Sequence, residues 1–106
     1  MLNIAENDAL LTLAIPTTLE EDVVDFLLAR PEWASGFTLL PAQGLGAGAP
    51  LLSAMERVQG RSAGKLVLIA GQAGRLRALL DKLAAEMPAP HVHYWMTPLL
   101  ACGRLA

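Results

Sequence analysis

The stretch ALLTLAI, residues 9–15, decides the fold class of this chain. It is apolar apart from one threonine, is bounded by Asp8 and Pro16, and is too short for a helix. Such a run is typical of a strand that is buried on both faces of a sheet. A second apolar run, from Lys65 to Ala70, has the same character. The sequence therefore predicts a sheet in which two strands need cover on both sides.

Two amphipathic helices and two shorter strands complete the pattern. Thr18 and Glu21 have capping-box spacing, so the first helix is predicted to begin at Thr18 and, because of Pro31, to end near Arg30. Its apolar stripe is Leu19, Val23, Phe26 and Leu27, and its acidic residues are expected to face solvent. The second helix has the stripe Leu76, Leu79, Leu80, Leu83 and Met87 before two prolines. The remaining strands are predicted at Phe37–Leu40 and His91–Met96.

This order of elements is that of an α+β, ferredoxin-like βαββαβ sandwich with a long loop between strands 2 and 3. The length of 106 residues suits one domain, which we place at residues 8–98, with flexible termini at 1–7 and 99–106. Two helices cover one face of the sheet. We therefore expect the other face to be buried by further copies of the chain.

Composition narrows the classes of function. The chain is 54% hydrophobic and 17% charged, with a net charge of -2. It has no basic cluster of the kind that nucleic-acid binding requires, no run long enough for a membrane span, and no signal-peptide pattern. Its single cysteine, Cys102, suggests a reducing compartment, and we expect a cytoplasmic protein. No nucleophile–base arrangement is recognisable, so we do not expect an enzyme.

The long loop, about Gln43 to Gly64, is the first candidate for function and is predicted to be the most mobile segment, nicked first by trypsin. Its spaced glycines allow a ligand such as phosphate to approach the backbone, although plain loop flexibility also explains them. Two arginines near its end are suited to clamping an anion; the alternative is that they are solvated or pair with Glu56 in another subunit. The candidate effector-binding residues are Gly44, Gly46, Glu56, Arg57, Gly60 and Arg61.

A second candidate site lies near the last strand. If this strand begins at His91, then His91, His93 and Trp95 share one face, and two imidazoles could ligate copper, zinc or nickel. Two ligands do not complete a site, so further ligands would have to come from elsewhere. The alternative is that both histidines are hydrogen-bonded within an oligomer interface. Cys102 could be a soft metal ligand or have no role.

Several stretches resemble a known family. They are the run Leu10–Leu13 followed by Pro16, the helix from Leu19 to Leu28, the turn Gly36–Thr38, the stretch from Leu52 to Arg61, and His93-Tyr94-Trp95 before Pro98. Together they are similar to an uncharacterised PII-like family of the PII/CutA superfamily, whose genes commonly sit beside heavy-metal efflux pumps of the resistance-nodulation-division (RND) type.

The resemblance implies a homotrimer with inward-facing sheets, in which the long loop is the T-loop that carries signalling. The chain departs from PII proteins proper, because residues 86–90, where they have a phosphate loop, lack glycine and lysine, and its one tyrosine, Tyr94, lies outside the T-loop. The function implied is a trimeric PII-like regulatory protein linked to heavy-metal efflux, with an efflux transporter component as partner and an effector of unknown identity. The alternative is a metal-binding accessory protein without a signalling role.

Overall fold

The computed structural model describes residues 7–34, 36–45, 61–88 and 91–105. In chain order its strands and helices are β1 (Ala9–Pro16), α1 (Glu20–Leu28), β2 (Thr38–Leu45), β3 (Arg61–Gly71), α2 (Ala73–Glu86) and β4 (His93–Pro98). A single 3-10 turn, Thr17–Leu19, joins β1 to α1. Within these ranges no helix is long and apolar enough to cross a membrane.

The four strands form one antiparallel sheet in the order β2-β3-β1-β4. The two central strands, β1 and β3, are those with the most apolar sequences. Both helices follow a strand and return the chain to the sheet. The fold is therefore α+β of the ferredoxin-like βαββαβ type, as the sequence predicts.

The hydrophobic core lies between one face of the sheet and the two helices. Leu11, Leu13 and Ile15 of β1 and Val67 and Ile69 of β3 are almost fully buried in it. The helices contribute the predicted stripes, of which Val23, Phe26, Leu27, Leu76, Leu79 and Leu83 are buried. Since burying a large aliphatic side chain contributes about 1.5–3 kcal/mol, this layer accounts for most of the driving force for folding.

The opposite face of the sheet carries no helix among the described residues, and we call it the open face. Its composition follows from the strand register, because directly paired residues point to the same side. One row across the sheet is Leu40, Leu66, Ala14 and His93, and the next is Thr38, Leu68, Thr12 and Trp95. Trp95 is 47% exposed and Leu40 is 43% exposed. Large apolar side chains thus remain partly in contact with water on this face.

The start of α1 differs from the prediction. The capping box at Thr18 and Glu21 is wrong, because Thr18 lies within the 3-10 turn and α1 begins at Glu20, with no side chain capping it. Pro16 fixes the extended backbone that leads into this turn. Three acidic residues in the first turn of α1 complement the helix dipole instead.

The lengths of β2 and β3 also differ from the prediction. β2 continues to Leu45 and β3 begins at Arg61, so the predicted ends of the long loop, Gln43–Leu45 and Arg61–Gly64, belong to strands. Their backbone groups pair with each other, as Ala42 does with Gly64 and Gln43 with Ala63. The rest of the predicted loop, residues 46–60, lies outside the described residues, and its predicted mobility stays a prediction.

Polar contacts fix both ends of α2. At its beginning, the backbone N–H of Ala73 donates to Oδ1 of Asp8 (2.9 Å), so a residue distant in sequence caps the helix. At its end, the Arg30 guanidinium donates to Glu86 (2.5 Å) and to the carbonyl of Phe26 (3.0 Å), and lies 3.8 Å from the Phe26 ring centroid. Arg30 therefore connects the C-terminal ends of both helices.

Candidate functional site

The ends of β2 and β3 flank the rest of the segment predicted to be the long loop, and we call them the loop base. Gly44 pairs with Ser62, and Leu45 pairs with Arg61. The ladder therefore brings together two of the predicted effector residues, Gly44 and Arg61, whose backbones lie on adjacent strands. The other four, Gly46, Glu56, Arg57 and Gly60, lie outside the described residues.

An ion pair lies four residues further along β3. Nζ of Lys65 is 3.6 Å from Oε1 of Glu20, the first residue of α1, and both side chains are about one-third exposed. The position of Glu20 off the helical stripe predicts a side chain that faces only solvent. In the structure this side chain also pairs with Lys65. A partly exposed pair of this kind contributes up to about 1 kcal/mol to stability. The sequence indicates such a contact because Lys65 is the only charged residue of β3 after Arg61, and the residues that follow it are apolar.

The two histidines occupy different structural environments. His93 is the first residue of β4, lies opposite Ala14, and belongs to the open face, whereas His91 lies in the turn before the strand. The predicted strand start at His91 is therefore wrong, and strand alternation does not apply to that residue. Both side chains are exposed. Nowhere in the described part of the chain do three or more histidine, cysteine, aspartate or glutamate residues group as a metal site would require.

An open cleft of about 430 Å³ lies on the helix side of the sheet, beside β4. Its walls are the C-terminal half of α2, the strand residues Leu13 and Tyr94, and Val23 of α1. The lining is mainly apolar, and one carboxylate, that of Asp81, lies at it. Sequence reasoning did not find this cleft, because it assigned Leu80, Leu83 and Met87 to the core, where Leu83 is buried but Leu80 and Met87 are only partly so.

A family model named DUF3240, protein of unknown function, matches residues 5–106. The chain belongs to the DUF3240 family. Among curated proteins it has no match. A solved DUF3240 family protein from Shewanella baltica is 26% identical and superposes with a TM-score of 0.73, over 94% of this chain and 98% of that one.

The same fold is found outside the DUF3240 family. CutA from Synechococcus elongatus is 17% identical with a TM-score of 0.65, over 95% of this chain and 83% of that one. A candidate PII-like signaling protein from Thermus thermophilus is 20% identical with a TM-score of 0.58, over 87% and 85%. At these identities the likeness shows the fold, and it confirms the PII/CutA-like architecture that the sequence resemblance implies.

The described surface of this DUF3240 protein thus offers three distinct features. At the loop base, Gly44 of β2 lies on the strand next to β3, which begins at Arg61. The open face carries large apolar side chains among threonines and a histidine, and is suited to another copy of the chain. The cleft is apolar with one charge, and is suited to a segment with apolar side chains and a cation.

Proposed function

We propose that this DUF3240 protein is a trimeric PII-like regulator, in which the loop between β2 and β3 acts on a partner under the control of a small anionic effector. The observation that carries the proposal is the loop base, where Leu45 pairs with Arg61 in the last described pair of the β2–β3 ladder. A loop anchored in this way can report a ligand at its base, because any shift of either strand end moves both ends of the loop.

The fold supports this proposal, since a candidate PII-like signaling protein shares it. The open face supports the trimeric assembly, because its large apolar side chains, Leu40, Leu66, Leu68 and Trp95, would be buried if three sheets faced inward. The role we propose is regulatory rather than enzymatic, and its place is the cytoplasm. A component of a heavy-metal efflux transporter is the proposed partner. Growth of a deletion strain on heavy-metal salts, compared with its parent, tests that link.

Replacing Arg61 with alanine is expected to weaken binding of an anionic effector about tenfold or more, because a charge-assisted hydrogen bond contributes about 1.5–3 kcal/mol. The measurement is calorimetry with ATP, AMP and inorganic phosphate as probes. Arg77→Ala is the matched control, since Arg77 is exposed on α2, away from the loop base. Absence of heat with every probe, or equal affinity in the parent and Arg61→Ala, would contradict the anion site.

The second candidate function is a metal-binding accessory protein. The observation in its favour is that His91 and His93 are both exposed and that His93 lies on the open face. An assembly built through this face could supply ligands from several copies, which two histidines of one chain do not complete. Zinc, copper and nickel are the metals that imidazole ligands suit.

If metal binds, adding zinc, copper or nickel at about 100 times the dissociation constant should stabilise the protein by about 2.7 kcal/mol. Replacing both His91 and His93 with alanine should remove this stabilisation without changing the mass of the assembly. Thermal unfolding at a fixed protein concentration measures the shift. If no metal stabilises the parent, the histidines have a structural role. If metal shifts the thermal unfolding of the double variant as much as that of the parent, the metal binds elsewhere.

A further inference from the structure

We propose that the apolar cleft beside β4 receives the C-terminal tail, residues 99–105, of a second copy of this chain. The cleft and the tail are separate from the loop base and the open face, so an exchange of tails would add to contacts made through the open face.

The tail presents unburied apolar side chains. Leu100 and Leu105 are fully exposed, with relative exposures of 105% and 109%. Each would be stabilised if it moved from water into an apolar environment. Two exposed leucines on one short segment are therefore expected to bind in an apolar groove.

The tail does not enter the cleft of its own chain, since Leu100 and Leu105 are fully exposed. The backbone N–H of Leu99 donates to the carbonyl of Asp8 (3.0 Å), and Nδ2 of Asn7 lies 4.0 Å from Sγ of Cys102. The tail thus runs beside residues 7 and 8, past the end of β4 marked by Pro98. The cleft lies at the other end, near Tyr94, at a distance of about 13 Å along the strand. A tail from another copy meets no such restriction.

Charge supports the same pairing. Asp81 lies at the cleft, and Arg104 precedes Leu105 in the tail. Among the described residues, neither side chain forms an ion pair. Seating Leu105 in the cleft would bring the guanidinium of Arg104 to the rim where Asp81 lies. Because each chain would give one tail and receive one, the exchange can close into a symmetric assembly such as a ring.

The test uses Cys102, the natural thiol of the tail. Replacing Ala84, which lines the cleft, with cysteine should give disulfide-linked species heavier than one chain after oxidation with diamide. Ala85→Cys is the matched control, since Ala85 is exposed on the same helix but does not line the cleft. Non-reducing electrophoresis of the full chain at micromolar concentration measures the products. Adding Cys102→Ser to Ala84→Cys should remove them.

Charge reversal provides a second readout that does not depend on disulfide geometry. Asp81→Arg and Arg104→Asp should each weaken self-association about two- to fivefold in sedimentation velocity, and the double variant should restore it.

Four outcomes would overturn the tail exchange. The first two are equal cross-linking of Ala84→Cys and Ala85→Cys together with no restored self-association in the double reversal, and loss of free thiols without an increase in mass, which places the chain's own tail in the cleft. The third is cross-links that survive Cys102→Ser. The fourth is that the double reversal does not restore self-association while a small apolar probe, such as 8-anilinonaphthalene-1-sulfonate, occupies the cleft in the assembled parent. A parent that remains trimeric in any of these cases leaves the proposed function intact.

Discussion

Replacing Leu68 with aspartate is expected to convert the assembled protein into folded monomers. Leu68 lies in the middle of the open face, between Thr38 and Thr12, in the row that ends at Trp95. A carboxylate there would be buried against the sheets of the other copies, and burying an unpaired charge costs several kcal/mol. Within a single chain the same carboxylate reaches water. Light scattering at micromolar concentration measures the mass, and circular dichroism confirms that the monomer is folded.

Leu28→Asp is the matched control for Leu68→Asp. Leu28 is 65% exposed at the end of α1 and belongs to the helix layer, so a carboxylate there should leave the mass unchanged. A parent that is already monomeric would contradict the trimer and the burial of the open face together. A Leu68→Asp variant that keeps the mass of the parent would show that the chain associates through another surface, such as the cleft.

The fold was predictable because its signals are local and strong. Residues 9–15 are apolar apart from Thr12, and the strand found there, Ala9–Pro16, differs by one residue. The stripe of α2 was equally clear, since Leu76, Leu79 and Leu83 recur at helical spacing and all three are buried. In both cases the spacing of the apolar residues indicates how many faces of the element are buried, which is two for the strand and one for the helix.

The ends of β2 and β3 were not predictable in the same way. Gln43, Gly44 and Ser62 have weak strand propensity, and they are in strands because the backbone of the partner strand lies alongside. The capping box failed for a related reason. Pro16 and the 3-10 turn after it set where α1 begins, and they override the spacing of Thr18 and Glu21.

The candidate sites depend on tertiary placement more than on motifs. The contact of Asp8 with the first residue of α2 joins two segments far apart in sequence, and no local pattern announces it. No local pattern indicates the cleft either, because it exists where α2 does not fully cover β4. The sequence placed Gly44 and Arg61 inside the long loop, whereas both lie in strands, and the pairing of β2 with β3 brings them to adjacent strands.

Replacing Gly71 with alanine is expected to lower the free energy of unfolding by about 1–3 kcal/mol, the usual cost of overpacking. A Cβ at Gly71 would lie 3.1 Å from Cδ2 and 3.2 Å from Cγ of Leu76. Leu76 is fully buried in the core and cannot move without displacing its neighbours. The backbone of Gly71 is also held, because its carbonyl accepts a hydrogen bond from the N–H of Asp8 (3.0 Å).

Gly74→Ala is the control, and it should have the opposite effect. A Cβ at Gly74 meets nothing within 4 Å, and Gly74 lies in the first turn of α2, where alanine is favoured over glycine by up to about 1 kcal/mol. Urea denaturation of both variants and the parent, at one protein concentration, measures the two changes. If Gly71→Ala is as stable as the parent, then Leu76 has room to shift, and the packing of β3 against the start of α2 tolerates an added methyl group.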